Sequence, residues 1–110
     1  MRLLLLLPLL ASMSVAAQTS PHPGEEQYRR ICFVCHDQGV HFPQSRGAPR
    51  LGDQVAWSAR ALRGTERLLS YVVRGRHDPA YKEANLTYAE IRLAIEYMLE
   101  QGTTAKPPSE

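Results

Sequence analysis

Residues 32–36 read Cys-Phe-Val-Cys-His, and the rest of the sequence is best interpreted outward from this stretch. Its two cysteines are the only ones in the 110-residue chain. In a helix, positions i, i+3 and i+4 lie on one face, so Cys32, Cys35 and His36 should point in the same direction. The stretch therefore brings two thiols and one imidazole to one side of a helix end.

Cys-x-x-Cys-His is the attachment motif of c-type haem. The thiols of Cys32 and Cys35 would add to the two vinyl groups at one edge of the porphyrin. The imidazole of His36 would then reach beneath the ring as a permanent axial ligand to the iron. We therefore expect one haem c, bound covalently.

Three other interpretations of the cysteines compete with haem attachment. A structural disulfide suits an exported protein. A thioredoxin-like redox pair shares the Cys-x-x-Cys core but needs a strand followed by a helix, and no strand pattern precedes Cys32. A structural zinc site needs four ligands, and the motif supplies three. The histidine directly after the second cysteine favours haem.

The first 17 residues have the pattern of a secretory signal peptide. A positive charge at Arg2 precedes a leucine-rich run over 3–10, and Val-Ala-Ala at 15–17 offers small residues for cleavage. The alternative is an uncleaved anchor, although the apolar run is shorter than the roughly 20 residues of a membrane span. We expect a mature domain over 18–110 with no stable membrane span and a polar tail from about residue 102.

Charge argues against one class of partner. Thirteen Lys and Arg against eleven Asp and Glu give a formal net charge of +2, unlike the strongly basic footprint of a nucleic-acid-binding protein. Five arginines fall within residues 60–76, and we interpret them as solvated helix faces. No nucleic-acid partner is expected.

Apolar spacing and cap signals predict four helices and no convincing strand. The expected helices cover about residues 24–35, 54–62 and 66–74, with the last running from Thr87 to Gly102. Asp53 and Thr65 stand at the cap positions of the two middle helices. Thr87 and Glu90 form a capping box for the last helix. Two terminal helices should pack together, with short helices and long loops between them.

With these elements placed, the chain resembles the bacterial class I monohaem cytochromes c, in particular their short c-five subgroup. Gly24-Glu25-x-x-Tyr28 resembles the family's N-terminal helix, whose glycine allows close approach of the last helix. Residues 94–99 resemble the end of that last helix, with Tyr97 at the crossing. The resemblance covers nearly the whole mature domain and implies a small all-α fold with terminal helices crossed around one haem.

The resemblance also implies roles for three residues between the terminal helices. The stretch at 48–53, Ala-Pro-Arg-Leu-Gly-Asp, resembles the loop in which the proline carbonyl accepts the N–H of the haem histidine. Pro49 would thus orient the ring of His36 and raise its ligand strength. Trp57 and Arg60 resemble the Trp-x-x-Arg segment that reaches a haem propionate, for which arginine is a permanently charged donor. Plain core packing is the alternative role for Trp57.

The sequence departs from the family at the second axial ligand. The family has a methionine before a proline in the loop that precedes the last helix, and residues 75–82 contain none. His77, two residues before Pro79, is the leading candidate for the sixth ligand. The alternatives are a vacant or water-occupied site, or one of three side chains: His41, in a loop about five residues longer than the subgroup's, Tyr81 and Lys82.

Two further residues are assigned non-ligand positions. Met98 is the one methionine after residue 17, and its helical phase puts it in the core, where methionine is a common gap-filler. His22, in the polar lead-in, is expected to be solvent-exposed.

These features predict a haem-binding electron-transfer protein of the periplasm that is not an enzyme and whose partners are redox proteins. With two strong ligands the iron cannot take a substrate. The alternative is a gas-binding or sensing haem protein with an open or weakly ligated distal site, which would also permit weak peroxidase chemistry.

Overall fold

The computed structural model describes residues 3–5, 8–12, 21–37 and 47–104. Within these ranges the regular structure is helical and no strand occurs, which confirms the predicted all-α class. The leucines at the described N-terminal positions are at least 82% exposed, so they take no part in the core. No helix in the described ranges is long and apolar enough to cross a bilayer. The expected cleavage site and His41 lie outside the described residues.

Four helices and one 3₁₀ turn form the described domain. Helix α1 covers residues 25–36 in three consecutive pieces: α-helical Glu25–Gln27, π-helical Tyr28–Cys32 and α-helical Phe33–His36. The other elements are α2 at Gln54–Ala61, α3 at Thr65–Arg74, the 3₁₀ turn at Pro79–Lys82 and α4 at Tyr88–Thr103.

Local cap chemistry accounts for two of the helix starts. The Asp53 carboxylate accepts the N–H of Ala56 at 3.1 Å at the start of α2. At α4 both bonds of the predicted capping box between Thr87 and Glu90 are present, at 3.0 and 3.2 Å.

The cap predicted at Thr65 is wrong. Thr65 is the first residue of α3, and Gly64 holds the cap position with φ of 82°. Glycine adopts this positive φ without the steric cost that a Cβ would bring, so backbone conformation rather than a side-chain bond starts this helix.

Gly102 does not end α4 as predicted, because the helix continues to Thr103. Gly102 is buried, and a Cβ at this position would overlap the ring of Trp57 on α2. The glycine therefore serves the close approach of α2 to α4.

A second glycine lies where the terminal helices cross. Gly24, directly before α1, is buried, and a Cβ there would overlap the backbone carbonyl oxygen of Leu93 on α4. Beside this contact the rings of Tyr28 and Tyr97 pack with centres 5.1 Å apart. This is the crossing of terminal helices that the resemblance implies.

His22 is not solvent-exposed, contrary to the prediction. Its side chain is 18% exposed, and its Nε2 lies 3.3 Å from a carboxylate oxygen of Glu100 on α4. Its Nδ1 accepts the N–H of Gly24 at 2.9 Å, and its ring packs against Tyr97 with centres 5.6 Å apart. The polar lead-in is thus attached to both terminal helices.

Candidate haem site

A cavity between the helices brings the predicted site residues together. Its lining contains all seven of them: Cys32, Cys35, His36, Pro49, Trp57, Arg60 and His77. Apolar side chains from α1, α3 and α4 supply much of the remaining wall, among them Ile31, Leu68, Val72, Ile91, Ile95 and Met98. Met98 is 6% exposed within the core cluster, as its helical phase predicted.

The two cysteines at the end of α1 are thiols and are not joined in a disulfide. Burial raises the pKa of the Cys32 thiol to about 11, so at neutral pH this group is protonated. Redox-active Cys-x-x-Cys pairs depend on a lowered thiol pKa. The thioredoxin-like interpretation therefore loses support, and no strand precedes the motif in the described ranges.

His36 is held in one orientation by backbone groups. Its side chain is buried, and its Nδ1 lies 2.8 Å from the carbonyl oxygen of Pro49. A carbonyl can only accept, so Nδ1 carries the proton and the lone pair resides on Nε2. Burial also lowers the pKa of His36. Burial thereby favours the neutral ring, which is the form that binds a metal.

The loop that carries Pro49 is attached to its surroundings through its neighbours. Leu51 donates its N–H to the carbonyl of His36 at 2.8 Å. The Arg50 guanidinium donates to the carbonyl of Asp37 at 3.0 Å. These bonds hold the Pro49 carbonyl opposite the ring that it orients.

Trp57 and Arg60 differ in what their donors contact. The indole N–H of Trp57 donates to the carbonyl of Arg50 at 2.7 Å, and its buried ring lies 5.8 Å from that of His36. A propionate contact would require Trp57 to give up this bond, so its contacts here are those of a packed wall. Arg60 is half-buried and donates to the Ala56 carbonyl at 2.9 Å. A guanidinium has five N–H donors, which leaves capacity for a carboxylate.

His77 lines the same cavity, and its ring is paired with that of the motif histidine. The ring centres of His36 and His77 are 6.1 Å apart, and their planes differ by 11°. The Nδ1 of His77 lies 2.7 Å from the carbonyl oxygen of Asp78. Two other candidates for the sixth ligand have different surroundings. Tyr81 lines the cavity, but its hydroxyl donates to the carbonyl of Val73 at 3.4 Å. Lys82 is exposed.

Sequence reasoning placed Tyr28 in the N-terminal helix but missed its hydroxyl bond beside the site. Tyr28 donates to the carboxylate of Asp37 at 3.1 Å, and Asp37 directly follows the motif histidine. Burial and the neighbouring carboxylate raise the pKa of the Tyr28 phenol. The bond connects the residue after the motif back to α1. Only the position of Asp37 next to the motif could have suggested it.

Replacing Tyr28 with phenylalanine should lower the free energy of unfolding by about 1–2 kcal/mol, because a bond to a charged acceptor is lost while the ring packing is kept. Denaturant unfolding of the purified protein measures this. Tyr88→Phe is the matched control, since Tyr88 is 56% exposed on α4 and should change stability by less than about 0.5 kcal/mol. Equal effects of the two changes would show that the Asp37 bond contributes nothing.

The small class I c-type cytochromes are defined by an N-terminal helix that crosses the C-terminal one and ends in Cys-x-x-Cys-His on an apolar cavity. The chain belongs to this family. It is similar to cytochrome c-555 of Chlorobaculum tepidum, with 33% identity over an 84-position alignment that covers 71% of this chain and 73% of the relative. It is 31% identical to cytochrome c-555 of Chlorobaculum thiosulfatiphilum over 85 positions. That alignment covers 71% of this chain and 92% of the relative. No protein-family profile matches the chain, and no solved structure matches it significantly. The family is one of haem-binding electron-transfer proteins.

Proposed function

We propose that this protein is a periplasmic electron carrier with a single, covalently bound haem c. The observation that carries the proposal is the joint placement of Cys32, Cys35 and His36 on one apolar cavity, with the Pro49 carbonyl against the ring of His36. Haem c supplies one-electron chemistry at its iron when bound. Other redox proteins are its partners.

Each of these residues has a distinct task in holding the haem. The thiols of Cys32 and Cys35 would hold the haem through thioether links, each S–H having added across one vinyl double bond, with sulfur on one carbon and hydrogen on the other. His36 would bind the iron through Nε2, and Pro49 keeps the ring oriented. Arg60 would pair with a propionate. The apolar wall excludes water and so keeps the polarity around the iron low, one of the properties that set its potential.

A redox titration of the purified protein tests the function. We expect a reversible one-electron change in the visible haem spectrum and no catalytic turnover of peroxide. A protein that carries no haem, or one that turns over peroxide while being irreversibly bleached, would contradict an electron carrier.

The gas-binding and sensing alternative requires an open distal position. The ring of His77 lines the same cavity, with its centre 6.1 Å from that of His36, which favours the carrier over that alternative and over peroxidase chemistry.

Export completes the proposal, with residues 1–17 as a cleaved signal peptide and 18–110 as the mature domain. It is supported by the described leucines of this segment, which are exposed and outside the core. N-terminal sequencing of the periplasmic protein should begin near Gln18. Membrane-bound protein that begins at Met1 would instead indicate an anchor.

A further inference from the structure

We infer that His77 is the second axial ligand, so that the iron is held between two imidazoles instead of between histidine and methionine. This inference rests on the proposed haem attachment at Cys32 and Cys35. It concerns the second ligand, for which the loop at residues 75–82 lacks the family's methionine.

The first observation is the relation between the two rings. Metal–imidazole bonds are about 2.0–2.1 Å long, and two such bonds plus the half-widths of both rings add to roughly 6 Å. The ring centres of His36 and His77 are 6.1 Å apart. The spacing matches this sum and would suit one metal ion between the two imidazoles with both Nε2 atoms turned toward it.

The second observation is the carbonyl that faces one ring nitrogen of His77. Its Nδ1 faces the Asp78 carbonyl at 2.7 Å, and since a carbonyl only accepts, the lone pair is left on Nε2. The Pro49 carbonyl imposes the same tautomer on His36 at 2.8 Å. A carbonyl partner of this kind orients metal-binding histidines and strengthens them as ligands. In both rings, therefore, Nδ1 faces a backbone carbonyl and Nε2 is left for a metal.

The third observation is that the loop holds His77 in place. The Asp78 carboxylate accepts the N–H of Ala80 at 2.9 Å and so begins the 3₁₀ turn that follows. The Tyr71 ring meets the His77 ring edge-on, with centres 6.0 Å apart and planes at 85°. His77 is half-buried between these contacts, so binding a metal would require little further ordering of its side chain.

The other candidate ligands fit less well. Met98 is packed in the core cluster, and the Tyr81 hydroxyl donates to a backbone carbonyl. Lys82 is exposed. Among the candidate ligands within residues 21–37 and 47–104, His77 is the one whose ring is paired with that of His36.

The consequence is a lower potential and a closed distal side. Methionine opposite histidine raises the potential of a c-type haem, so a second histidine in its place should give a lower one. The nearly parallel rings, 11° apart, should also give the ferric protein a rhombic low-spin electron paramagnetic resonance signal. Mutually perpendicular imidazoles would give a highly anisotropic signal.

His77→Ala tests the inference on the holoprotein. The variant should become high-spin in the ferric state and bind carbon monoxide in the ferrous state, whereas the wild-type protein remains low-spin and binds it poorly. Added free imidazole should restore the low-spin spectrum, because it replaces the missing ring. His22→Ala is the matched control, a histidine outside the cavity lining, and should leave the spectrum unchanged.

Four results would overturn the inference, and the first three are a ferric wild-type spectrum with the near-infrared iron–sulfur band, a low-spin His77→Ala variant, and a wild-type ferrous protein that already binds carbon monoxide fully. A change of ligation in Met98→Leu would do the same. The intact mass separates this failure from a failure of the proposed function. One covalent haem in the His77→Ala protein upholds attachment whatever the sixth ligand is, and a wild-type chain without haem refutes both proposals.

Discussion

Replacing Cys32 and Cys35 together with serine should yield protein that loses all of its haem in acid–acetone, whereas the wild-type chain should keep one haem through the same extraction. A serine hydroxyl does not form the thioether links, and the bond to His36 alone is broken when acid protonates the imidazole. Intact mass spectrometry after extraction measures the difference directly.

Val34→Ala is the control for this experiment, because it changes a half-buried residue between the two cysteines and keeps both thiols. It should retain one haem. A wild-type mass equal to that of the bare chain, or a disulfide between Cys32 and Cys35, would refute covalent attachment and with it the proposed function.

Replacing Gly24 with alanine should destabilise the protein by about 3 kcal/mol or more, at the upper end of the range for overpacked sites. The backbone at Gly24 is ordinary, with φ of −85° and ψ of −7°, so alanine brings no conformational strain. The cost comes from its Cβ, which would overlap the Leu93 carbonyl oxygen. Because that atom belongs to the backbone, no side-chain rotation relieves the overlap, and the terminal helices must move apart.

Denaturant unfolding of the holoprotein measures this effect against a total stability of about 5–15 kcal/mol for a domain. Glu26→Ala, an exposed change in α1, is the control and should stay within about 0.5 kcal/mol of the wild type. If Gly24→Ala unfolds at the wild-type denaturant concentration, the crossing is looser than the close contact with Leu93 implies.

The sequence by itself determined the features that depend on neighbours along the chain. The Cys-x-x-Cys-His spacing needs only helical periodicity to put three side chains on one face. The capping box of α4 needs only Thr87 and Glu90, three residues apart. For the same reason the four helices were predicted, and the burial of Met98 followed from its phase among the apolar residues of α4.

Only the tertiary structure decided what lies across space from each residue. Gly102 has the pattern of a helix end, yet the Trp57 ring packed on it makes it an interior residue. His22 lies in a polar N-terminal segment of the sequence, yet its side chain contacts Glu100 and Tyr97 on α4. The pairing of His36 with His77 belongs to this class as well, because packing between elements far apart in sequence sets the distance between their rings, and no local pattern encodes that distance.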